Sequence, residues 1–388
     1  MHSLLAPSND PATHSNPLQL EYFVWLLSRM PCGEMPAFAV SPAVPLTDDM
    51  ALVQRVMASF NLAQASFRPS TSPWDTALLD IKKTVYDALS GTNAMEAASV
   101  LRDPGASTFF WGFDAVASSR TGEFEPHEFV LRRLNGTVDW RTLYVLWVLD
   151  ALISFAEAIG ARRVAYPEIE MEQPSAFKYG VDDIIDELEA ALDMELHFPN
   201  PYPNEHGLYS KRGVIGFRAV QSVYQAWRIA QLADDNPDFK VLEIGAGLGR
   251  TAYFANRFGV KNYTIVDVPL TNAAQGYFLG RVLGADEVQL YGESKDARLK
   301  IIPSSAMDGD GNYDLIVNVD SWTELSPDTA QYYWNFARRA THKVLSINHE
   351  FNSFTVRDLY SKSPNVKALR FPYCMRRGYV EEILTWKQ

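Results

Sequence analysis

The sequence predicts an α/β protein whose C-terminal part, residues 205–388, is a doubly wound parallel sheet. Three observations carry that expectation. Short apolar runs alternate with helix-like segments beyond residue 240, a glycine-rich turn follows the first run, and an acidic residue ends the second. Before residue 205 the rhythm is different and mainly helical.

A chain of 388 residues exceeds the usual single-domain size, so two domains are the default expectation. The formal charge of −12 opposes a nucleic-acid partner, because a phosphate backbone asks for a basic surface. A small-molecule partner is expected instead, and the composition leaves a homo-oligomer open. Cys32 and Cys374 are the two cysteines, far apart and without a CxxC, which argues against a disulfide framework or structural zinc and suits a reducing cytoplasm. Residues 1–20 lack the basic start and apolar core of a secretory signal. Their Pro, Ser and Asn content reads as a disordered segment.

Residues 21–204 read as a mainly helical domain, an acceptor pocket or lid. "DWRTLYVLWVLDALISFAEAIG" has the strongest helical spacing, and "GVDDIIDELEAALDMEL" is amphipathic. The apolar stretch 143–161 is interrupted by Asp150 and Glu157, so it reads as a buried core helix and no membrane partner is expected. "STFFWGF" (107–113) is a weak pointer to an acceptor surface, since aromatic residues in helical regions more often fill a core. The turn-dense "HFPNPYPNEHGLYSKRG" (197–213) marks a boundary or a loop over a site, and "VIGFRAVQSVYQAWRIAQLA" returns to helical spacing.

Beyond residue 240, "KVLEI", "YTIVD", "VQLY", "YDLIVNV" and "KVLSIN" alternate with the helical "GRTAYFANRFG", "LTNAAQGYFLGRVLG" and "PDTAQYYWNFARRAT". Nearly continuous apolar strands between helices imply a parallel sheet covered on both faces, a Rossmann-like domain. The tail adds two last strands near a sheet edge.

In "VLEIGAGLGR" the glycines fall at 245, 247 and 249. No Lys follows them, so this is not a phosphate loop of the GxxxxGK[ST] type. The dinucleotide pattern GxGxxG also fails, because Gly249 comes one step early and Arg250 stands where the last glycine belongs. Glu243 would repel a pyrophosphate but can receive an ammonium group. Asp267 ends the second strand 24 residues on, where an acidic side chain can accept ribose hydroxyls. Acidic-x-Gly-x-Gly-x-Gly with that carboxylate suits S-adenosylmethionine.

With these residues in place, the sequence resembles class I adenosylmethionine-dependent methyltransferases, and more narrowly the sugar O-methyltransferases. The matching segments are "HGLYSKRGVIGFRAVQSVYQAWRI", "VLEIGAGLGRTAYFANRFGVKNYTIVDVPLTNAAQGYFLGRVLG", "DLIVNVDSWTEL" and "VLSINHE", over about the last 185 residues. The resemblance implies methylation of a hydroxyl on a sugar or glycosylated small molecule. The expected cofactor contacts are Glu243, Gly245, Ala246, Gly247, Asp267, Val268, Tyr291, Asn318 and Arg212.

A sugar hydroxyl is a poor nucleophile until its proton is being removed, so a base or a metal belongs nearby. "NVDSWTEL" and "SINHE" offer Asp320, Glu324, His349 and Glu350 as catalytic candidates. A strand-end histidine is the first choice of base, since an ordinary imidazole is largely neutral at cellular pH, and Asp320 or Glu350 would orient it. Asp320 and Glu324 read equally well as helix-start caps, and Ser326 would serve that purpose too. A metal-assisted version would draw on Asp320, Asn348, His349 and Glu350, but without a compact metal motif no ion is expected. Trp322 stacks on a sugar face or, more simply, packs in the core. Alternatives are a methyltransferase acting on a non-sugar metabolite and a binding module that kept the fold.

Overall fold

The computed structural model describes residues 35–42, 48–67, 81–110, 112–114, 140–164, 180–307 and 311–387. The segment 1–20 expected to be disordered lies outside them, as does Cys32. The described residues form two compact units, one holding 35–42 and 140–221, the other 48–114 and 222–387. In chain order the first elements are β1 (Phe38–Val40), α1 (Met50–Ser66), α2 (Lys83–Ser90), α3 (Ala94–Arg102), α4 (Trp140–Ala158) and α5 (Val181–Leu192). They are followed by β2 (His206–Ser210), β3 (Gly213–Ile215) and α6 (Phe217–Ala233).

In the first unit α4 is apolar all round, with Leu146, Val148, Leu149 and Ile153 buried, the pattern of a helix enclosed on every side. This is the core helix the sequence predicts. Among the described residues no helix is long and apolar enough to cross a membrane. α5 buries Ile184, Ile185 and Leu188 on one face. β1, β2 and β3 form a small antiparallel sheet in which Phe38 pairs with Leu208 and Leu208 with Ile215. Two of its strands have three residues each, too short for side-chain alternation to reveal in sequence.

The second unit contains β4 (Lys240–Ile244), α7 (Arg250–Arg257), β5 (Asn262–Asp267), α8 (Pro269–Val282), β6 (Val288–Leu290) and β7 (Leu299–Pro303). It continues with β8 (Leu315–Val319), α9 (Pro327–Ala340), β9 (Lys343–His349), α10 (Val356–Tyr360), β10 (Lys367–Pro372) and β11 (Tyr379–Thr385). The sheet order is β10-β11-β9-β8-β4-β5-β7-β6. β4 lies parallel between β5 and β8, so the strand order reverses there and a crevice opens beyond its carboxyl end. β11 runs antiparallel to both β9 and β10. The sheet is thus mixed at one edge and Rossmann-like in its order.

Side-chain parity fixes what covers each face. Leu242, Ile244, Ile316 and Val344 share a core with Trp334 and Ala337 of α9. On the other face, a Cβ at Gly249 would meet Leu279 of α8 at 3.0 Å and Ile265 of β5 at 3.5 Å. β7 has no counterpart among the expected strands. It lies between β5 and β6, so "VQLY" forms the sheet edge and not the third position.

The expected boundary at 204/205 is displaced by α1–α3, which belong to the unit of the large sheet. The reason is side-chain contact. Asp49 pairs with Arg102 and accepts the Tyr277 hydroxyl, Arg55 meets Glu293 at 2.7 Å, and Leu52 fills the space a Cβ at Gly280 would take. A helical domain spanning 21–204 is not what the described residues form.

Candidate active site

Gly245, Gly247 and Gly249 have φ of 74°, 56° and 86°, a region that side chains rarely enter. The loop is anchored to β5 by the Gly245 N–H, which donates to the Val266 carbonyl at 2.9 Å. A Cβ at Gly245 would lie 2.3 Å from Ser321 Oγ, so the turn after β8 presses directly on this loop. Gly245→Ala is therefore expected to destabilise the protein by about 2–6 kcal/mol, the sum of left-handed strain and overpacking, read in denaturant melts.

Asp267 is half-buried at the end of β5. Oδ1 accepts the Val268 N–H at 2.8 Å and Oδ2 accepts Gln275 Nε2 at 2.8 Å, while the Ala246 N–H faces the carboxylate from the glycine loop. Burial pushes the carboxyl up to about 7, against the pull of those hydrogen bonds and the Lys82 charge. Val268 and Ala246 therefore serve this carboxylate through their N–H groups. Gln275 was not among the expected residues; it is fully buried on α8 and also donates to the Gly247 carbonyl at 2.9 Å. Its only trace in sequence is a polar residue within the otherwise apolar "AAQGYFLG".

Glu243 departs from expectation. It points into the sheet face that α8 covers, is 1% exposed, and accepts the Tyr263 hydroxyl at 2.9 Å. Burial pushes its carboxyl up to about 7, and the neighbouring Asp267 charge adds to the rise. It is a buried carboxylate beneath the loop, engaged by Tyr263. Two further expected residues, Asn318 and Arg212, have side chains engaged by partners, and Tyr291 is set apart by the strand order. Asn318 is fully buried, where its amide donates to the Ile244 carbonyl and Ser321 Oγ, both at 2.8 Å. Arg212 is held by Glu189 at 2.8 Å and by Glu195, within the first unit. Tyr291 follows the edge strand β6, separated from β5 by β7.

"STFFWGF" divides. Phe109, Phe110 and Phe113 pack on one another as core, while Trp111 lies outside the described residues. Yet the Phe113 carbonyl would stand 3.3 Å from a Cβ at Gly247, and Asp114 pairs with Arg250 at 3.0 Å, so the segment flanks the glycine loop.

Beyond β8 and β9 the structure gathers Asp320, Glu324 and His349. One ligand atom from each lies within 4.8 Å of the others. His349 Nε2 is 3.7 Å from Glu324 and 4.0 Å from Asp320. Asp320 has a φ of 52° and is gripped from the C-terminal strand pair: Tyr379 donates to Oδ1 at 2.6 Å and Arg376 to Oδ2 at 3.1 Å. Tyr379 is the register partner of His349 on β11, which explains how a distant tyrosine arrives there. His349 Nδ1 accepts the Phe351 N–H at 3.3 Å. A neutral ring so held carries its hydrogen on Nε2, facing the two carboxylates.

Glu350, one residue further, points elsewhere and pairs with Arg370 at 2.7 Å, so it does not orient His349. Asn348 is turned inward onto Asn318 and Ser346. Capping of α9 falls to Ser326, whose side chain accepts the Thr329 N–H, leaving Asp320 and Glu324 out of that task. Trp322 is fully buried against Trp334, as core packing requires.

The trio has the donor types of a divalent-cation site. Two features fit a hydroxyl better: both Asp320 oxygens are hydrogen-bonded, one to a guanidinium, and Nε2 bears the hydrogen. One oxygen atom can lie within about 2.8 Å of all three groups and exchange hydrogen bonds with them.

No protein-family model matches the chain, and no curated protein is similar to it. Among solved structures, a glycopeptide N-methyltransferase complexed with S-adenosyl-L-methionine is similar over 43% of this chain and 94% of its own, at 15% identity and a TM-score of 0.33. Magnesium protoporphyrin IX methyltransferase from Synechocystis PCC 6803, with bound cofactor, is similar over 43% and 82%, at 12% identity and a TM-score of 0.31. Likeness at this level says nothing about activity.

Proposed function

We propose that the chain is an S-adenosylmethionine-dependent methyltransferase that methylates a hydroxyl of a sugar or glycosylated small molecule. One observation carries the reading: at the switch point of the sheet, a left-handed glycine loop and the half-buried Asp267 stand beside a turn that carries a cluster of two carboxylates and an imidazole. Asp267 supplies acceptors for two ribose hydroxyls. The Val268 N–H, which a pyrophosphate would need, is already spent on that carboxylate. Glu243 and Asp267 together favour a cation over an anion in this crevice.

Bound there, S-adenosylmethionine supplies an electrophilic methyl carbon on a positively charged sulfur. The chain's own residues deal with the acceptor. Tyr379 and Arg376 fix Asp320, while His349 Nε2–H and Glu324 hold the acceptor hydroxyl between them. Glu324 has no side-chain hydrogen bond among the described residues and would take the proton of the acceptor hydroxyl.

Calorimetry with S-adenosylmethionine and with NAD tests the cofactor; binding of the first alone is expected. Asp267→Ala should weaken that binding at least tenfold, as loss of hydrogen bonds to a charged acceptor implies. Methyl incorporation into a panel of nucleotide sugars and glycosides tests the acceptor. Uptake confined to amines would replace the hydroxyl reading with nitrogen methylation.

A further inference from the structure

We infer that Gln275 is a positioning residue that locks the ribose-binding carboxylate to the glycine loop. The inference rests on the cofactor reading above and adds a residue which that reading does not need.

Gln275 sits in the second turn of α8 and is fully buried. Its amide nitrogen has two hydrogens, and both are committed. One goes to Asp267 Oδ2 at 2.8 Å, the other to the Gly247 carbonyl at 2.9 Å. The two acceptors belong to different segments, the end of β5 and the loop after β4. A single planar group therefore fixes the distance between the part of the crevice that would receive a ribose and the part that would pass beneath a nucleoside. Neutrality matters as much as geometry. An ammonium or guanidinium here would pair with Asp267 and cancel the charge that a cationic ligand is to meet. An amide orients the carboxylate and leaves it negative.

The groups around Asp267 are few. Glu243 comes from β4, the Ala246 and Val268 N–H groups from the chain on either side, Lys82 from the segment before α2, and Gln275 from α8. Lys82, Gln275 and the two N–H groups favour the ionised carboxylate; burial opposes it. Removing the Gln275 donor must shift that balance toward the protonated form, whereas a side chain that only filled space would not.

The test is calorimetric titration of the full chain with S-adenosylmethionine between pH 5.5 and 9, for wild type, Gln275→Met and Gln275→Glu. Methionine keeps the volume and loses both hydrogens. Glutamate keeps the shape and sets a second carboxyl against Asp267, so that one of the two holds a proton near neutrality. Both variants should bind at least tenfold more weakly at pH 7 and reach half-maximal affinity at a higher pH than wild type. Gln275→Met should keep kcat within twofold once the cofactor saturates. A pH midpoint equal to that of wild type in whichever variants fold would overturn the inference. Carbon NMR of the Asp267 carboxyl in the ligand-free chain separates the two readings. If wild type binds no S-adenosylmethionine but the Asp267 midpoint still rises in Gln275→Met, the cofactor reading falls and the positioning of Asp267 stands.

Discussion

Replacing Glu243 with glutamine is expected to make the ligand-free protein more stable at pH 8 by about 3 kcal/mol. Burial holds this carboxyl at about 7 in the fold, against an ordinary value of 4.5. Each pKa unit corresponds to about 1.4 kcal/mol, which sets the size of the effect. The sign follows from proton counting. Between pH 4.5 and 7 the native state binds more protons at this site than the unfolded chain, so native stability falls as pH rises through that window. Below it both states are protonated and the substitution changes little; above it the full cost of a buried charge is present. Glutamine removes that cost and can still accept the Tyr263 hydroxyl. Asp267, also pushed up to about 7, adds a slope of its own that the variant retains. Denaturant melts at pH 4.5 and pH 8 check this, with a gain only at the higher pH. Equal gains at both would mean that the charge is not the cause. S-adenosylmethionine affinity should fall less than tenfold, because Glu243 acts through its field and not by contact.

That a protein keeps two destabilising carboxylates at one crevice is itself a statement about function. The parts of this arrangement legible in sequence are those fixed locally. A run of strand formers, three alternate glycines and an aspartate at the next strand end need no knowledge of the partners across the sheet. The directions of Glu243 and Asn318 depend on strand parity and on what covers each face, which α8 and the turn after β8 decide and a local run of sequence does not reveal. The counter-charges of Arg212, Glu189 on α5 and Glu195 just beyond it, lie on a segment that sequence alone does not bring near. Gln275 has no sequence signal because an amide in a mostly apolar helix carries no motif. Tyr379 and Arg376 were invisible for a topological reason: β11 inserts antiparallel beside β9 and returns residues nearly sixty positions distant to Asp320.

The same insertion shapes the other large expected effect. Glu324→Gln should lower kcat by about 10²–10⁴, the range general-base catalysis supplies, with little change in S-adenosylmethionine affinity. His349→Gln should cost less, roughly tenfold to a hundredfold, because its Nδ1 is occupied by the Phe351 N–H and its Nε2 donates to the acceptor without taking a proton from it. Tyr379→Phe removes one hydrogen bond from Asp320 and leaves Arg376 on the other oxygen, so its loss should lie below that of Glu324→Gln. Steady-state rates at saturating cofactor give all three values. The ordering carries the argument, since an imidazole base would reverse it: His349→Gln would then be the most damaging, and Glu324→Gln a modest loss of orientation. The two outcomes also divide the acceptor classes. An amine that reaches the site already neutral needs no proton acceptor before attack, so full turnover by Glu324→Gln on the best acceptor would mean that the nucleophile is not a hydroxyl.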